Sequence, residues 1–391
     1  MRVAYLADIR FPMERANGIQ SVETCHALAR AGVEVELVVR RSDERSDREC
    51  LAFYGLPPHP NLRLRRLAAP PPGSTRGRIL FALKSLSVVR RGRFDATYSR
   101  DLGLADLALR LSRWPVVYEA HTSSPLVSEE TPHLYRTEKA PSRRKLERLK
   151  RRERRVCTQA ARLVTITAEL RKCLERLYGP LSPGEVIPDG ARVPARLPPF
   201  PRTDEARRLQ IYYIGQLYPW KGVDTLLEAM QELPDQELVI VGGLPPEPDL
   251  AHHQELAKNL GVADRVCFRG YLPPTQLDEE RLQADIFVIP LHDSLMARHF
   301  TSPLKLFEAM AAGRPIVASD LPSVREVLED GVDALLVPAG DPHALAAAIR
   351  KLDSDEDLRK RLAQAAGDKV RQYSWDERAR KILRLLEEAC G

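Results

Sequence analysis

Two series of short apolar runs, separated by amphipathic helical stretches, constrain the fold of this chain more than any other feature. The first series is VAYLAD, VEVELVV, DATYS, VVYEAH, LVTITA and EVIPDG, and the second is IYYIGQL, ELVIVGG, VCFRGY, ADIFVIP, PIVASD and ALLVP. Apolar strands that alternate with helices are typical of parallel sheets covered on both faces. With 391 residues, the chain is long enough for two domains. The pattern predicts an α/β protein of two doubly wound domains, with a ligand at the carboxyl ends of the strands, in the cleft.

A proline-rich, polar segment, VPARLPPFPRTDEARR, lies between the two series. Such a composition is typical of an interdomain linker. We therefore predict a first domain over residues 1–195, a linker over 196–206 and a second domain over 207–372.

Charge is distributed unevenly along the chain. Residues 1–200 carry 37 basic and 22 acidic side chains, a net charge of +15, whereas the remainder carries −9. A basic first half indicates contact with an acidic partner or a membrane surface. Arginines spread over solvated faces would give the same count, and both interpretations stay open.

The most basic segment is residues 136–155, with 11 basic and 3 acidic side chains. Leu146, Leu149 and Val156 recur at near-helical spacing, which predicts a helix with one buried apolar face. The part over 143–155 is a candidate for peripheral contact with anionic lipid head groups. No aromatic residue is interleaved with the basic ones, which argues against nucleic acid.

The cysteines are far apart and form no C-x-x-C pair, which indicates reduced thiols without disulfides or structural zinc. No apolar run approaches the roughly 20 residues of a membrane helix. The chain opens directly on a strand, so we expect no secretory signal. We expect a protein of the cytoplasm, either free or peripheral on the inner face of the membrane. The cysteines stand at positions 25, 50, 157, 173, 267 and 390.

The stretch TSPLKLFEAMAAGRPIVASD, residues 301–320, has the start and stop signals of a helix that is followed by a buried strand. Ser302 is the expected N-cap, and Pro303 suits the first helical position because its missing N–H has no partner there. Gly313 is expected to end the helix in a left-handed turn. The free N–H groups at such a helix start can bind an anion.

Four further positions follow predicted strands. Gly18 is expected in a loop just ahead of a helix, and Lys221 precedes Gly222 and a helix, so both could meet a phosphate. Gly242 opens a glycine pair that lets a ligand approach closely. His121 stands at a strand end. A solvated lysine and a structural histidine are the alternatives. The acidic run DSDED is interpreted as helix N-terminal charge, and no grouping of residues indicates a metal.

Taken in order, several motifs resemble the GT-B glycosyltransferases, and among them the large retaining family four. They include NGIQSVETCHALARAG, VVYEAH, EVIPDGARV, IGQLYPWKGVDTLLEAM, ADIFVIPL, SPLKLFEAMAAGRPIVASD and YSWDERARKIL. The resemblance covers nearly the whole chain. It implies two facing Rossmann-like domains, the first binding an acceptor and the second a nucleotide sugar. It also implies a C-terminal helix over 373–391 that crosses back to the first domain.

The resemblance also implies residue roles. Glu308 matches the last glutamate of the family's Glu–seven residues–Glu motif, which holds the nucleotide ribose. Lys221 matches the diphosphate-binding lysine, and His121 a histidine near the donor sugar. His121 and Glu308 are thus the expected catalytic residues. The expected donor-binding residues are Gly18, Gln216, Lys221, Gly242, Gly270, Tyr271, Thr301, Ser302, Pro303, Leu304, Lys305 and Glu308.

Two positions depart from the family pattern. Phe300 stands where the first glutamate of the motif would fall, and Gln216 where an arginine would precede the lysine. A subset of the family has the same SPLKLFE pattern. Our hypothesis is that Lys305 restores the positive charge facing the diphosphate. The alternative is that Lys305 points to solvent.

The resemblance implies retaining transfer of a hexose-type sugar from a UDP- or GDP-sugar, with no cofactor and no metal. The acceptor would be a glycan, a lipid-linked molecule or a small molecule of cell-envelope or glycoconjugate biosynthesis. In this mechanism the leaving diphosphate helps to take the acceptor proton, so the protein positions groups and neutralises charge. A non-hydrolysing sugar-nucleotide epimerase of the same architecture and a non-catalytic partner subunit are the alternatives.

Overall fold

The computed structural model describes residues 1–70, 74–134, 140–200, 208–244 and 248–391. The chain divides into two compact units. The first consists of Met1–Glu129, Lys139–Gly190 and Trp375–Gly391, and the second of Glu130–Glu138 and Ala191–Ser374. Of the predicted linker, residues 201–206 lie outside the described residues.

Within its described residues, the first unit has a seven-stranded parallel sheet of order β3-β2-β1-β4-β5-β6-β7. Its strands are β1 (Arg2–Phe11), β2 (Glu34–Arg41), β3 (Leu62–Leu67), β4 (Ala96–Ser99), β5 (Val116–Ala120), β6 (Arg162–Thr165) and β7 (Gly184–Val186). The helices along this part of the chain are α1 (Ala16–Arg30), α2 (Asp47–Ala52), α3 (Thr75–Arg91), α4 (Leu102–Leu111), α5 (Ser124–Leu134), α6 (Arg143–Gln159) and α7 (Ala168–Tyr178). The last helix, α16 (Trp375–Cys390), also belongs to this unit.

Strand β3 was not among the predicted strands. Its sequence, LRLRRL, alternates leucine with arginine instead of being apolar throughout. It lies at the edge of the sheet and pairs only with β2 among the described strands. An edge strand with one solvated face tolerates charge on that face, which is why a search for fully apolar runs missed it.

The second unit has, in its described part, a six-stranded parallel sheet of order β10-β9-β8-β11-β12-β13. Its strands are β8 (Gln210–Ile214), β9 (Glu237–Val241), β10 (Val266–Gly270), β11 (Ile286–Ile289), β12 (Ile316–Ser319) and β13 (Leu335–Val337). The helices along this part are α8 (Val223–Ala229), α9 (Asp249–Asn259), α10 (Pro274–Leu282), α11 (Leu295–His299), α12 (Leu304–Ala311), α13 (Pro322–Arg325), α14 (Pro342–Ser354) and α15 (Glu356–Lys369).

Apolar side chains cover both faces of this second sheet. Along β8, Tyr212 and Ile214 pack into the core on one face, whereas Ile211 and Tyr213 pack into the core on the other. This alternation explains why the strands read as continuous apolar runs, and it confirms the predicted doubly wound α/β fold. The strand order reverses between β8 and β11, as it does between β1 and β4 in the first unit. In such sheets, ligands bind beyond the carboxyl ends of the strands at the point of reversal.

The basic segment forms the predicted helix, α6. Val156 and Cys157 are buried, while Leu146 and Leu149 are half-buried. Residues 136–139 of the segment lie outside the described residues. None of the helices in the described part of the chain has both the length and the apolar character needed to cross a bilayer.

Candidate functional site

The loop after β8 carries the first predicted site residues of the second unit. Lys221 ends a short 3-10 turn, Pro219–Lys221, and its Nζ lies 3.6 Å from the centre of the Trp220 ring. Gly222 follows with φ +71°, and a Cβ there would lie 1.6 Å from the Pro290 carbonyl oxygen. Only glycine fits this turn, which packs against the Pro290 carbonyl just after β11, before α8 begins.

The ends of three neighbouring strands approach one another through their backbones. The Gly242 N–H donates to the Gly270 carbonyl (2.9 Å), and the Gly215 N–H donates to the Val241 carbonyl (2.8 Å). A Cβ on Gly242 would lie 1.8 Å from the Gly215 carbonyl oxygen. The structure therefore brings Gly242 and Gly270 together at the carboxyl edge of the sheet. Tyr271, next in the chain, is half-buried.

The start of α12 differs from the prediction. The helix begins at Leu304, and Pro303 occupies the N-cap position with extended backbone (φ −77°, ψ 117°) and no side-chain capping hydrogen bond. The prediction that Ser302 caps the helix was therefore wrong, because the chain is still extended one residue further along. The predicted end is confirmed, since Gly313 adopts φ +64°.

The residues before this helix are buried within the second unit. Phe300, at the position expected for the motif's first glutamate, is 3% exposed. The Thr301 hydroxyl donates to the Met296 carbonyl at 2.7 Å, and Ser302 is buried. Phe300 thus contributes apolar packing at a place where a glutamate would have offered a carboxylate.

Lys305 turns inward from α12. Its Nζ donates to the Tyr213 hydroxyl at 3.0 Å and lies 4.1 Å from the centre of that ring. The same ammonium group is 3.0 Å from where a Cβ on Gly215 would stand. The Tyr213 hydroxyl in turn donates to the Gln216 backbone carbonyl at 2.5 Å. Lys305 therefore lies beside residues 215 and 216, and the alternative of a solvent-facing lysine is wrong.

Burial perturbs both lysines. It lowers the pKa of Lys221 from its ordinary value of 10.5 to about 7. Burial also lowers the pKa of Lys305 well below the ordinary range; the nearby Lys221 cation lowers it further, while Glu308 raises it. Two lysines in one partly desolvated site disfavour each other's protonation, and a bound anion would favour it.

If a nucleoside diphosphate binds beside Lys221, this arrangement predicts proton uptake on binding. With a pKa of about 7, the free Lys221 is mostly neutral at pH 8. The negative charge of an adjacent diphosphate raises that pKa, so Lys221 is expected to take up most of one proton. Affinity should therefore decrease as the pH rises above 7. Calorimetry with UDP and GDP in buffers of different ionisation enthalpy measures the uptake. Lys221→Met should remove this proton uptake, whereas the control Lys258→Met, at an exposed lysine, should keep it. Equal uptake in both variants would exclude Lys221.

Glu308 has a partner that the sequence did not suggest. The Arg281 Nη2 lies 2.8 Å from Glu308 Oε2, with the arginine and glutamate side chains 11% and 23% exposed. Arg281 comes from α10, 27 positions earlier in the chain. Arg281 and Glu308 line a small pocket together with Lys305, and apolar side chains of β8 and β11 line the rest of it. The structure thus brings Lys221, Lys305 and Glu308 into one neighbourhood at the carboxyl edge of the sheet.

In the first unit, Gly18 does not lie in the loop ahead of the helix. It is the third residue of α1, and its N–H donates to the Arg15 carbonyl at 2.9 Å. A Cβ there would lie 2.7 Å from the Met13 carbonyl oxygen and 2.9 Å from the Tyr54 hydroxyl. The predicted position was wrong because the helix begins earlier than expected. The glycine permits close packing of the segment that precedes α1.

His121 belongs to a buried polar cluster centred on Glu119. The Glu119 carboxylate, fully buried in β5, accepts hydrogen bonds from Gln20 Nε2 (2.7 Å) and the Tyr98 hydroxyl. Arg378 of α16 donates to Glu119 Oε1 at 2.6 Å, and His121 Nε2 lies 2.5 Å from the same oxygen. An acid within an apolar strand, two residues before the histidine, was the available sequence signal for Glu119. Arg378 gave none.

The charges of this cluster fix the state of His121. Burial would raise the pKa of Glu119, but Arg378 and His121 outweigh it and hold that pKa far below its usual range. Burial and the Arg100 cation lower the pKa of His121 more than Glu119 raises it, which leaves a neutral imidazole at pH 7. Because an ionised carboxylate only accepts, Nε2 carries the proton and Nδ1 remains as an acceptor.

Glu119, His121 and Asp189 also form a group of possible metal ligands, with one ligand atom from each within 4.8 Å of the others. Sequence spacing did not indicate it. The Arg378 guanidinium already binds Glu119 and lies 4.0 Å from Asp189. A cation is thus supplied by the chain itself, and the group fits an internal ion-pair network better than a metal site.

Two family models match the chain. The model described as Glycosyltransferase Family 4 matches residues 19–193, and the one described as Glycosyl transferases group 1 matches residues 200–369. The chain belongs to the family 4, group 1 glycosyltransferases. This agrees with the family inferred from the sequence motifs, and the chain is therefore a glycosyl-transferring enzyme.

Curated relatives agree with the family. The chain is 28% identical over 432 residues to D-inositol 3-phosphate glycosyltransferase of Xylanimonas cellulosilytica, covering 99% of this glycosyltransferase and 97% of that protein. It is 33% identical over 211 residues to phosphatidyl-myo-inositol mannosyltransferase of Mycobacterium leprae, covering 51% of this chain and 52% of that protein.

Solved structures confirm the GT-B fold of this glycosyltransferase. Sucrose-phosphate synthase from Thermosynechococcus elongatus superposes with a TM-score of 0.78 at 20% identity, covering 99% of this chain and 98% of that one. HepE of Anabaena, in complex with UDP-glucose, superposes with a TM-score of 0.74 at 17% identity, covering 99% of both chains. At these identities, the likeness supports the fold alone.

Proposed function

We propose that this glycosyltransferase moves a hexose-type sugar from a UDP- or GDP-sugar to an acceptor, with retention of configuration at the transferred carbon. The observation that carries the proposal is the convergence of Lys221, Lys305 and Glu308 at the carboxyl edge of the second sheet, where its strand order reverses. Two lysines suit a diphosphate, and a carboxylate beside them suits the ribose hydroxyls.

The remaining donor contacts are proposed from their places in the fold. Gly270 and Tyr271 lie at the end of β10, where a Cβ on Gly270 would meet nothing within 4 Å, which leaves room for a base beside the backbone. Gly242 donates its N–H to the Gly270 carbonyl and so supports this backbone. Thr301, Ser302, Pro303 and Leu304 form the entry to α12, whose first N–H groups favour an anion. In the first unit, the neutral His121 offers Nδ1 as an acceptor for a sugar hydroxyl.

The chemistry requires charge stabilisation more than a protein nucleophile. As the bond to the sugar breaks, negative charge grows on the leaving diphosphate, which also helps to take the acceptor proton. In this proposal, Lys221 and Lys305 meet that charge as ammonium groups held in position, so little solvent reorganisation accompanies the step. We propose that they replace a divalent cation and that transfer continues in the presence of EDTA.

A panel of nucleotide sugars, read by mass spectrometry, tests this function. UDP- and GDP-hexoses are incubated with glycan, lipid-linked and small-molecule acceptors, with and without EDTA. Inositol 3-phosphate and phosphatidylinositol are included because two relatives are named for such acceptors. A transferred sugar supports the proposal. An epimerised donor would indicate an epimerase, and no conversion of any donor would indicate a non-catalytic partner subunit.

We also propose that α6 makes peripheral contact with anionic membranes. The helix exposes Arg143, Arg144 and Lys145 in its first turn, and its apolar residues face inward. Each basic residue near an anionic surface contributes about 1 kcal/mol, and salt screens this attraction. Binding to phosphatidylglycerol vesicles, followed by flotation, should therefore be strong at low salt and weak at high salt.

Changing these three residues to glutamine should reduce vesicle binding. The matched control changes Lys351, Lys360 and Arg361, on the acidic second half of the chain, to glutamine. Equal flotation of both variants and the unchanged chain would mean that α6 is a plain solvated surface.

A further inference from the structure

Lys305 and Glu308 stand three residues apart on one face of α12, a spacing at which a lysine and a glutamate ordinarily pair with each other. Here each has a different partner. Lys305 Nζ donates to the Tyr213 hydroxyl at 3.0 Å, while Glu308 Oε2 lies 2.8 Å from Arg281 Nη2. The two charges of the helix face are thus held apart by groups from two other elements.

Arg281 is itself held firmly. Its Nη1 donates to Asp278 Oδ1 at 2.6 Å, within the same helix, α10. Its side chain is only 11% exposed, so few other orientations are open to it. A guanidinium fixed in this way presents its second N–H group in a defined direction, and a carboxylate that can move on its own helix follows it.

We propose that Arg281 is a positioning residue that draws Glu308 away from Lys305. This inference rests on the proposed function. In this arrangement Arg281 pairs with the Glu308 carboxylate, and Lys305 stays available for the diphosphate. Glu308 Oε2 is occupied by Arg281, and Oε1 is presented to the ribose hydroxyls.

The physical reason lies in the competition for one carboxylate between two cations in the same pocket. Without Arg281, Glu308 still has Lys305 as a nearby cation in the same pocket, three residues earlier on the helix, and the two can pair along the helix face. Such a pair would remove the carboxylate from the ribose and neutralise the ammonium that faces the diphosphate. Loss of Arg281 should therefore weaken two ligand contacts that Arg281 itself does not make.

The test compares affinities for UDP and 2′-deoxy-UDP, with GDP and 2′-deoxy-GDP measured alongside. We expect the unchanged chain to prefer the ribose form by about tenfold, and Arg281→Gln to reduce that preference to about twofold. Arg281→Gln should also reduce affinity for the diphosphate more than for the nucleoside. Arg281→Lys should restore part of the ribose preference and part of the affinity for the diphosphate. If Arg281→Gln does not fold, Arg281→Lys is compared with the unchanged chain instead.

Two further variants separate this inference from the proposed function. Arg269→Gln is the matched control, since Arg269 pairs with Glu280 on the neighbouring element, and it should keep the ribose preference. In the Glu308→Gln background, Arg281→Gln should cause no further loss of that preference. If Glu308→Gln itself keeps the full preference, the proposed donor site is wrong. If Glu308→Gln loses it while a folded Arg281→Gln or Arg281→Lys retains both contacts in full, only the positioning role is overturned.

Discussion

The Glu308→Gln variant is expected to lose sugar transfer while keeping its fold. A carboxylate that accepts two hydrogen bonds from ribose hydroxyls contributes about 1.5–3 kcal/mol for each, so kcat/KM should fall by about two to four decades. The amide is nearly the same size, and its oxygen can still accept from Arg281, so the packing of α12 should persist. The measurement is initial-rate transfer at donor concentrations below KM, with Tm recorded for each protein.

The matched control is Glu279→Gln, the same chemical change at an exposed position of α10. It should leave kcat/KM unchanged. Turnover of Glu308→Gln equal to that of the unchanged chain would remove Glu308 from the donor site. Retained affinity for the nucleoside with lost transfer would contradict the ribose role, because the ribose belongs to the nucleoside.

The second large effect is expected at Lys305. If it replaces the cation missing at Gln216, Lys305→Ala should weaken binding of the nucleoside diphosphate by about one to two decades and leave the nucleoside almost unchanged. The geometry supports this, because the ammonium lies beside Gly215 and the Tyr213 hydroxyl bridges to the Gln216 carbonyl. An arginine side chain at position 216 would begin beside the present position of the Lys305 ammonium group.

The double variant Lys305→Ala with Gln216→Arg should recover part of that loss, since a positive charge is returned to the same anion. Two side chains that share one ligand group are expected to be non-additive. Calorimetric titration of the unchanged chain, both single variants and the double variant with UDP, GDP and their nucleosides measures the coupling. Simple additivity, or an equal loss for diphosphate and nucleoside in Lys305→Ala, would show that Lys305 supports the fold and not the ligand.

Much of the fold could be predicted because the determinants are local in sequence. Most of the strands are buried on both faces and are therefore apolar throughout, so runs such as VVYEAH and ELVIVGG were visible, and all twelve predicted runs lie at strands of the structure. The left-handed turn at Gly313 could also be predicted, because glycine is the residue type that fits that backbone best. Strand β3 was not predicted, because an edge strand needs only one apolar face. The exact start of α12 was not predicted either, because Ser302, Pro303 and Leu304 offer competing helix starts.

Within the candidate site, the sequence by itself determined the position of Lys221 in the turn after β8 and of His121 at the end of β5, since strand ends and glycine turns are local features. Only the tertiary structure decided the pairings: Arg281 with Glu308, Tyr213 with Lys305, and Arg378 with Glu119 across 259 positions of sequence. A buried charge must be compensated, but any oppositely charged residue that the fold brings near can do so. The sequence thus indicates which groups need a partner, whereas the packing of helices on the sheets selects the partner.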